Sequence, residues 1–157
     1  MKKLILLAGL YCLQPILHAA PLSGVAKNNR RPLTASDRAM AHFKENYAWV
    51  ENAAWYNAPD NSMYCIFQQG KVVNRVFYNE RGYWLYTLIS YPSSCLPRNV
   101  KEMVSEAFTG YQISYVNEVR SEYSEPVYMI NIENAESIKV IKVSGDEIKV
   151  EQALQKS

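Results

Sequence analysis

The sequence is poor in the residues from which most catalytic and metal sites are built. Its 157 residues include only two histidines and three cysteines. His18 and His42 are too few for a multi-histidine metal site, and they leave little material for a Ser/His/Asp triad. The sequence also lacks a glycine-rich phosphate loop, a His/Glu metal spacing and a nucleophile-elbow pentapeptide. We therefore expect neither an enzyme nor a bound cofactor.

A surplus of charge of one sign is also lacking. Lys and Arg number 17 against 15 Asp and Glu, and 48% of the residues are hydrophobic. This is the composition of an ordinary globular domain, and one domain is the default for this length. A chain so close to neutral cannot neutralise many phosphates, so we expect no nucleic-acid partner.

Residues 1–19 have the layout of a secretory signal peptide. Two lysines precede an apolar run from Leu4 to Leu17, and the small residue Ala19 follows it. The run is shorter than the ~20 apolar residues that cross a bilayer, so a retained anchor is disfavoured. We predict cleavage after Ala19 and a periplasmic or secreted protein without a membrane span. A lipoprotein signal that uses Cys12 is the alternative.

The rest of the chain divides into a leader and one domain. Residues 20–33 have no apolar period, which indicates a flexible leader, and residues 34–152 are predicted to form a single domain. Thr34 or Ser36 can cap a first helix, in which His42 lies off the apolar stripe and is expected at the surface. Four segments of alternating apolar and polar residues follow, which short connections identify as antiparallel strands. Pro97 then begins a second amphipathic helix, and four more predicted strands follow it.

The order of one helix and four strands thus occurs twice, at about residues 36–90 and 97–150. We predict an α+β fold in which two pseudo-repeats of a helix followed by four strands form an antiparallel sheet with the helices on one face. Chance recurrence in an α+β chain is the alternative, because few residues are identical between the two halves.

One stretch of the chain carries a family resemblance. The motif is Tyr64-Cys65-Ile66-Phe67, Gly70, Val76-Phe77-Tyr78, the run from Gly82 to Thr87, and Leu96-Pro97. It resembles the PepSY-like family of exported bacterial proteins, which is related in fold to β-lactamase-inhibitor proteins, over roughly residues 37–150. The resemblance implies a non-catalytic periplasmic module whose helices cover one sheet face while the other face is open to a partner. Cys65 and Cys95 are not part of the pattern.

Two-residue turns at Gln69-Gly70 and Glu80-Arg81 predict which side chains share a sheet face. One face is compact and largely aliphatic, includes Leu85, and suits the helices. The other is large and aromatic and surrounds one arginine, as protein-binding surfaces often do. We predict that its binding residues are Tyr64, Arg75, Phe77, Trp84 and Tyr86. The alternative is that the second half of the chain buries this face too.

Three functions fit these patterns. The favoured one is a protein-binding or inhibitor-like module whose partner is another periplasmic or exported protein; a carrier of a small apolar ligand and an enzyme that uses Tyr, Arg and Glu are the alternatives. The acidic second half predicts solvent-exposed carboxylates such as Glu118 and Glu122. In an oxidising compartment Cys65 and Cys95 could form a disulfide or remain free thiols, and both outcomes are open.

Overall fold

The structure, a computed structural model, describes residues 34–156, so the predicted signal peptide and leader lie outside the described residues. The elements in chain order are α1 (Ala35–Asn46), β1 (Ala54–Asn57), β2 (Met63–Gln69), β3 (Val72–Tyr78), β4 (Trp84–Tyr91), a 3₁₀ turn (Ser93–Cys95), α2 (Arg98–Ala107), β5 (Gln112–Ser121), β6 (Ser124–Glu133), β7 (Ser137–Ser144) and β8 (Glu147–Gln155). The eight strands form one antiparallel sheet in the order of the sequence. Neither described helix is long and apolar enough to cross a membrane.

The predicted division into two pseudo-repeats is wrong. β4 pairs with β5 over five residue pairs, beginning with Thr87 and Arg120, so the sheet continues through the boundary between the predicted repeats. The helices contribute only 12 and 10 residues to this single sheet. Periodicity locates helices and strands, but pairing between distant segments depends on contacts that a local pattern does not contain.

Each helix begins where the sequence supplies a start signal. Thr34 caps α1: its Oγ1 accepts a hydrogen bond from the backbone N–H of Asp37 at 3.1 Å. The Asp37 carboxylate in turn accepts from the Thr34 N–H at 3.0 Å, which completes a capping box. Pro97 directly precedes α2. Its missing N–H costs no hydrogen bond there, because the first N–H groups of a helix have no partner within the helix.

Both helices lie on the same face of the sheet, and each covers its own apolar cluster. The cluster under α1 consists of Ala39, Phe43, Cys65, Phe67, Val76 and Tyr78. The cluster under α2 consists of Tyr91, Leu96, Val100, Val104, Val116, Ile130, Ile132, Ile141 and Val143. Eight strands spaced about 4.8 Å apart are about 34 Å wide, whereas a helix is only about 10 Å wide. Two helices therefore leave the central strands partly uncovered.

A β-bulge changes the predicted faces of β4. The pairing shifts between Phe77 and Tyr78, so that Tyr86 lies opposite Phe77 while Trp84 lies opposite Tyr78. Leu85 has no partner in this ladder and is exposed. As a result Trp84 lies on the helix side of the sheet, and the prediction that it shares a face with Phe77 and Tyr86 is wrong.

We expect Gly82→Ala to destabilise the protein more than Gly110→Ala. Both glycines have positive φ, at 80° and 84°, so both variants should lose about 1–2 kcal/mol from the left-handed backbone. A Cβ at Gly82 would also lie 2.0 Å from the carbonyl oxygen of Ala35, whereas a Cβ at Gly110 would meet nothing within 4 Å. Overpacking of this kind costs a further ~1–3 kcal/mol.

Urea unfolding of both variants measures the two losses, with Gly110→Ala as the matched control. Equal losses of unfolding free energy would contradict the close contact between the β3–β4 turn and the start of α1.

Candidate functional site

A continuous row of aromatic rings crosses the first four strands on the face opposite the helices. Tyr56 stacks on Tyr64, Tyr64 on Phe77, and Phe77 on Tyr86, with ring centroids 5.1, 5.5 and 4.6 Å apart and interplanar angles of 17°, 25° and 24°. The strand register places each ring directly opposite the next. Directly opposed aromatic pairs contribute roughly 0.2–1 kcal/mol each. We call these four residues the aromatic ladder.

No described helix covers the ladder. Tyr56 is exposed and the other three rings are half-buried. Half-buried apolar side chains extend the surface across the neighbouring strands: Ile66, Val73, Leu88, Val119, Val127 and Met129. An open cavity of about 540 Å³ borders Phe77 and Tyr86 at the β3–β4 turn. Exposed apolar patches on protein surfaces often mark interaction sites.

Arg75 is the charged residue beside the ladder. Its Nη1 donates to Ser90 Oγ at 3.3 Å, and Ser90 Oγ donates to Asn117 Oδ1 at 2.7 Å. The ion pairs between described residues do not include Arg75. This half-buried guanidinium therefore has N–H donors that no described residue accepts.

The structure brings together four of the five predicted binding residues and adds one. Tyr64, Arg75, Phe77 and Tyr86 share the open face. Sequence reasoning missed Tyr56, although β1 and the following turn were recognised; pairing β1 with β2 across that turn would have placed Tyr56 opposite Tyr64. That these residues bind a partner stays a prediction.

Trp84, the fifth predicted residue, belongs to the helix side. Its Nε1 donates to Thr87 Oγ1 at 3.1 Å, and its ring stacks on His42 with centroids 5.7 Å apart. His42 Nδ1 lies 3.1 Å from the hydroxyl of Tyr78. The prediction that His42 is a surface residue is therefore wrong: it is half-buried and links α1 to the sheet.

The two cysteines among residues 34–156 are both free and occupy different surroundings. Cys65 is buried in the cluster under α1, and this burial raises the pKa of its thiol to about 12. Cys95 is exposed at the end of the 3₁₀ turn, outside that cluster. No bridge joins them, and the Cys65 thiol is unreactive because it stays protonated at neutral pH.

A second cavity, of about 460 Å³, opens on the helix side over β3, β4 and β5. Glu118, predicted to be solvent-exposed, lies at this cavity and is only 2% exposed. Its carboxylate accepts hydrogen bonds from the Tyr91 hydroxyl and from Arg120 Nε, both at 2.5 Å. Burial together with the Glu118 contact raises the pKa of Tyr91, so the tyrosine remains a donor. The described residues contain no cluster of potential metal ligands.

No protein-family model matches the chain, and the search of curated proteins found no match. Solved structures do match in fold. A DUF2874 family protein from Bacteroides ovatus is 16% identical with a TM-score of 0.60, covering 75% of this chain and 85% of that one. A BLIP-like protein from Bacteroides fragilis is 13% identical with a TM-score of 0.59, covering 75% and 84%. A protein from Bacteroides eggerthii, described as a candidate periplasmic protein, is 15% identical with a TM-score of 0.58, covering 76% and 87%.

At these identities the likeness concerns the fold alone. It confirms the predicted relation in fold to β-lactamase-inhibitor-like proteins, because one of the matching structures is described as BLIP-like. The assignment to the PepSY-like family is not confirmed by these comparisons and stays a prediction.

We expect the stability of the protein to fall when His42 is protonated. Burial lowers the pKa of His42 below 6.5, although Glu45 and Glu122 oppose this shift. The unfolded chain then binds the proton more readily than the folded one. The contribution of the neutral His42 ring to the free energy of unfolding is therefore complete above pH ~6.5 and is lost as the pH falls through the lowered pKa. His42→Gln should therefore destabilise the protein more at pH 7.5 than at pH 5.

An NMR titration of the His42 ring gives its midpoint, and urea unfolding of both proteins at the two pH values gives the stability difference. A midpoint above 6.5, or a stability difference that does not shrink at pH 5, would contradict the effect of burial.

Proposed function

We propose that the chain is a non-catalytic, exported protein-binding module that engages another periplasmic or secreted protein through the aromatic ladder and Arg75. The observation that carries this proposal is the row of four stacked rings on a sheet face that no described helix covers. Aromatic residues and arginine are the side chains that dominate binding energy at protein interfaces.

Stacking prepares the ladder for binding. Each inner ring is held between the rings of two neighbouring strands, so its orientation is set before any partner arrives. Immobilising a flexible side chain at an interface costs about 0.5–1.5 kcal/mol, and this cost is reduced when the side chain is already ordered. The tyrosine hydroxyls at Tyr56, Tyr64 and Tyr86 add polar tips to an otherwise apolar surface.

Arg75 defines the chemistry of the partner. It forms no ion pair with a described carboxylate, and Ser90 occupies only one of its two terminal nitrogens. Arginine binds carboxylates through paired N–H donors. The ladder beside it favours apolar side chains. The complementary surface is therefore a protein segment that presents apolar side chains next to an Asp or Glu.

The comparisons support the compartment and the class of activity that we propose. One fold neighbour is described as a candidate periplasmic protein and another as BLIP-like, and neither description names a reaction. The proposed export depends on the signal peptide predicted at residues 1–19, with residues 34–152 as the binding domain.

We expect Phe77→Ala to weaken partner binding by about 2 kcal/mol, which is roughly thirty-fold, because Phe77 is the centre of the ladder. Arg75→Gln should weaken partner binding as well. Added salt should lower the affinity of this variant less than it lowers the affinity of the wild type. The measurement is calorimetry with the partner captured from a periplasmic extract. Tyr123→Ala is the matched control, because Tyr123 is 91% exposed and makes no ring contact.

Thermal unfolding of each variant separates binding from folding. If folded Phe77→Ala protein binds like the wild type, or if Tyr123→Ala weakens binding as much, the ladder is not the docking surface.

A further inference from the structure

The helix-side cavity has two kinds of wall. It lies between the cluster under α1 and the cluster under α2, over the three central strands. Aromatic side chains from the end of α1 and from β4 form one part: Tyr47, Trp49, Trp84 and Tyr91. Polar side chains from β3 and β5 form the other part: Asn74, Glu118 and Arg120. This combination of apolar walls and few polar groups is typical of small-molecule sites.

The inner aromatic walls are held in place by a shared hydroxyl. Trp84 Nε1 donates to Thr87 Oγ1 at 3.1 Å, and the Tyr47 hydroxyl lies 3.1 Å from the same oxygen. The polar atoms of both rings are thereby used within the protein. One face of Trp84 also stacks on His42, and Tyr47 stacks on Phe43, so only the parts of both rings that line the cavity remain for contact. Trp49 is 56% exposed and stands at the cavity without such a bond. These three aromatic side chains give this part of the cavity an apolar wall.

The carboxylate of Glu118 is already satisfied. One oxygen accepts from Tyr91 and the other from Arg120 Nε, so the charge of Glu118 is balanced within the protein by Arg120. The contact instead fixes the guanidinium of Arg120, whose two terminal nitrogens make no hydrogen bond with a described residue, and whose side chain is largely exposed. Glu118 is thus a positioning residue, and Arg120 offers the paired donors that suit an anion.

Asn74 supplies a second polar group. Its side chain is only 8% exposed and lines the cavity, yet no hydrogen bond joins its amide to another described residue. Its amide atoms are not among the fully buried polar atoms that lack a partner, so they reach the solvent of the cavity. An amide left in this state at the cavity is available for a hydrogen bond to a bound molecule.

We propose that this cavity binds a small aromatic carboxylate. The ring of the ligand lies against Trp84, Tyr47 and Trp49, the carboxylate is held by the terminal N–H groups of Arg120, and Asn74 bonds to the carboxylate or to a polar substituent. The site is on the opposite face of the sheet from the aromatic ladder and does not depend on the proposed protein-binding function.

The test uses three probes of one shape and different charge: 2-naphthoate, 2-naphthalenemethanol and 2-naphthalenemethylamine. Calorimetry on residues 20–157 should show that the carboxylate binds at least tenfold more tightly than the alcohol and that the amine binds most weakly. Chemical-shift changes on adding 2-naphthoate should occur at Trp84 and Arg120 and not at Phe77. Equal affinities for the three probes, or shifts at the ladder, would overturn the proposal.

Variants assign the contacts. Trp49→Ala and Arg120→Gln should each weaken 2-naphthoate binding at least fivefold. Arg81→Gln is the control that should leave binding unchanged, because Arg81 is an exposed arginine that does not line this cavity. Because Arg120→Gln leaves a buried charge on Glu118, the double variant Glu118→Gln/Arg120→Gln keeps the site neutral if the single variant does not fold. Unchanged binding by Trp49→Ala and by a folded Arg120 variant would overturn the proposal, as would an equal loss in Arg81→Gln.

Discussion

The width of the sheet relative to the two helices is the constraint on which the rest of the structure depends. Eight strands in one antiparallel sheet present two broad faces, but the helices supply only 12 and 10 residues, both on the same face. The helix side is therefore covered in two separate places with a gap between them, and the opposite face is not covered by any described helix. Both the cavity and the open aromatic face follow from this shortage of covering structure.

The central strands serve both surfaces at once. Along β3, Asn74 and Val76 point toward the helices, while Arg75 and Phe77 point toward the open face. Because side chains alternate along a strand, Asn74 of the cavity and Arg75 of the open face are neighbours in the sequence. The cluster under α1 packs on β2 and β3, and the register between these strands places the stacked rings opposite one another on the other face.

Much of this arrangement follows from the sequence, and the errors have identifiable physical causes. Alternation and turn residues predict the eight strands, and they also place Tyr64, Arg75, Phe77 and Tyr86 on one face. Trp84 was assigned to the wrong face because the pairing of β3 with β4 shifts between Phe77 and Tyr78. Such a bulge moves the β4 residue before it to the opposite face of the sheet. The residues of the turn do not predict this bulge. The buried Glu118 could not be predicted either, since its burial depends on the pairing of β5 with β4, which brings Tyr91 to its carboxylate.

The aromatic face is open in the free protein, while each helix closes over its own apolar cluster. The most direct test is NMR of the domain with a soluble paramagnetic gadolinium chelate, which broadens the signals of side chains that solvent can reach. We expect strong broadening of the ring signals of Tyr56, Tyr64, Phe77 and Tyr86, and little broadening at Phe67 and Tyr78, which are buried. Ladder rings as protected as Phe67 would contradict an open aromatic face, because the face would then be covered in solution.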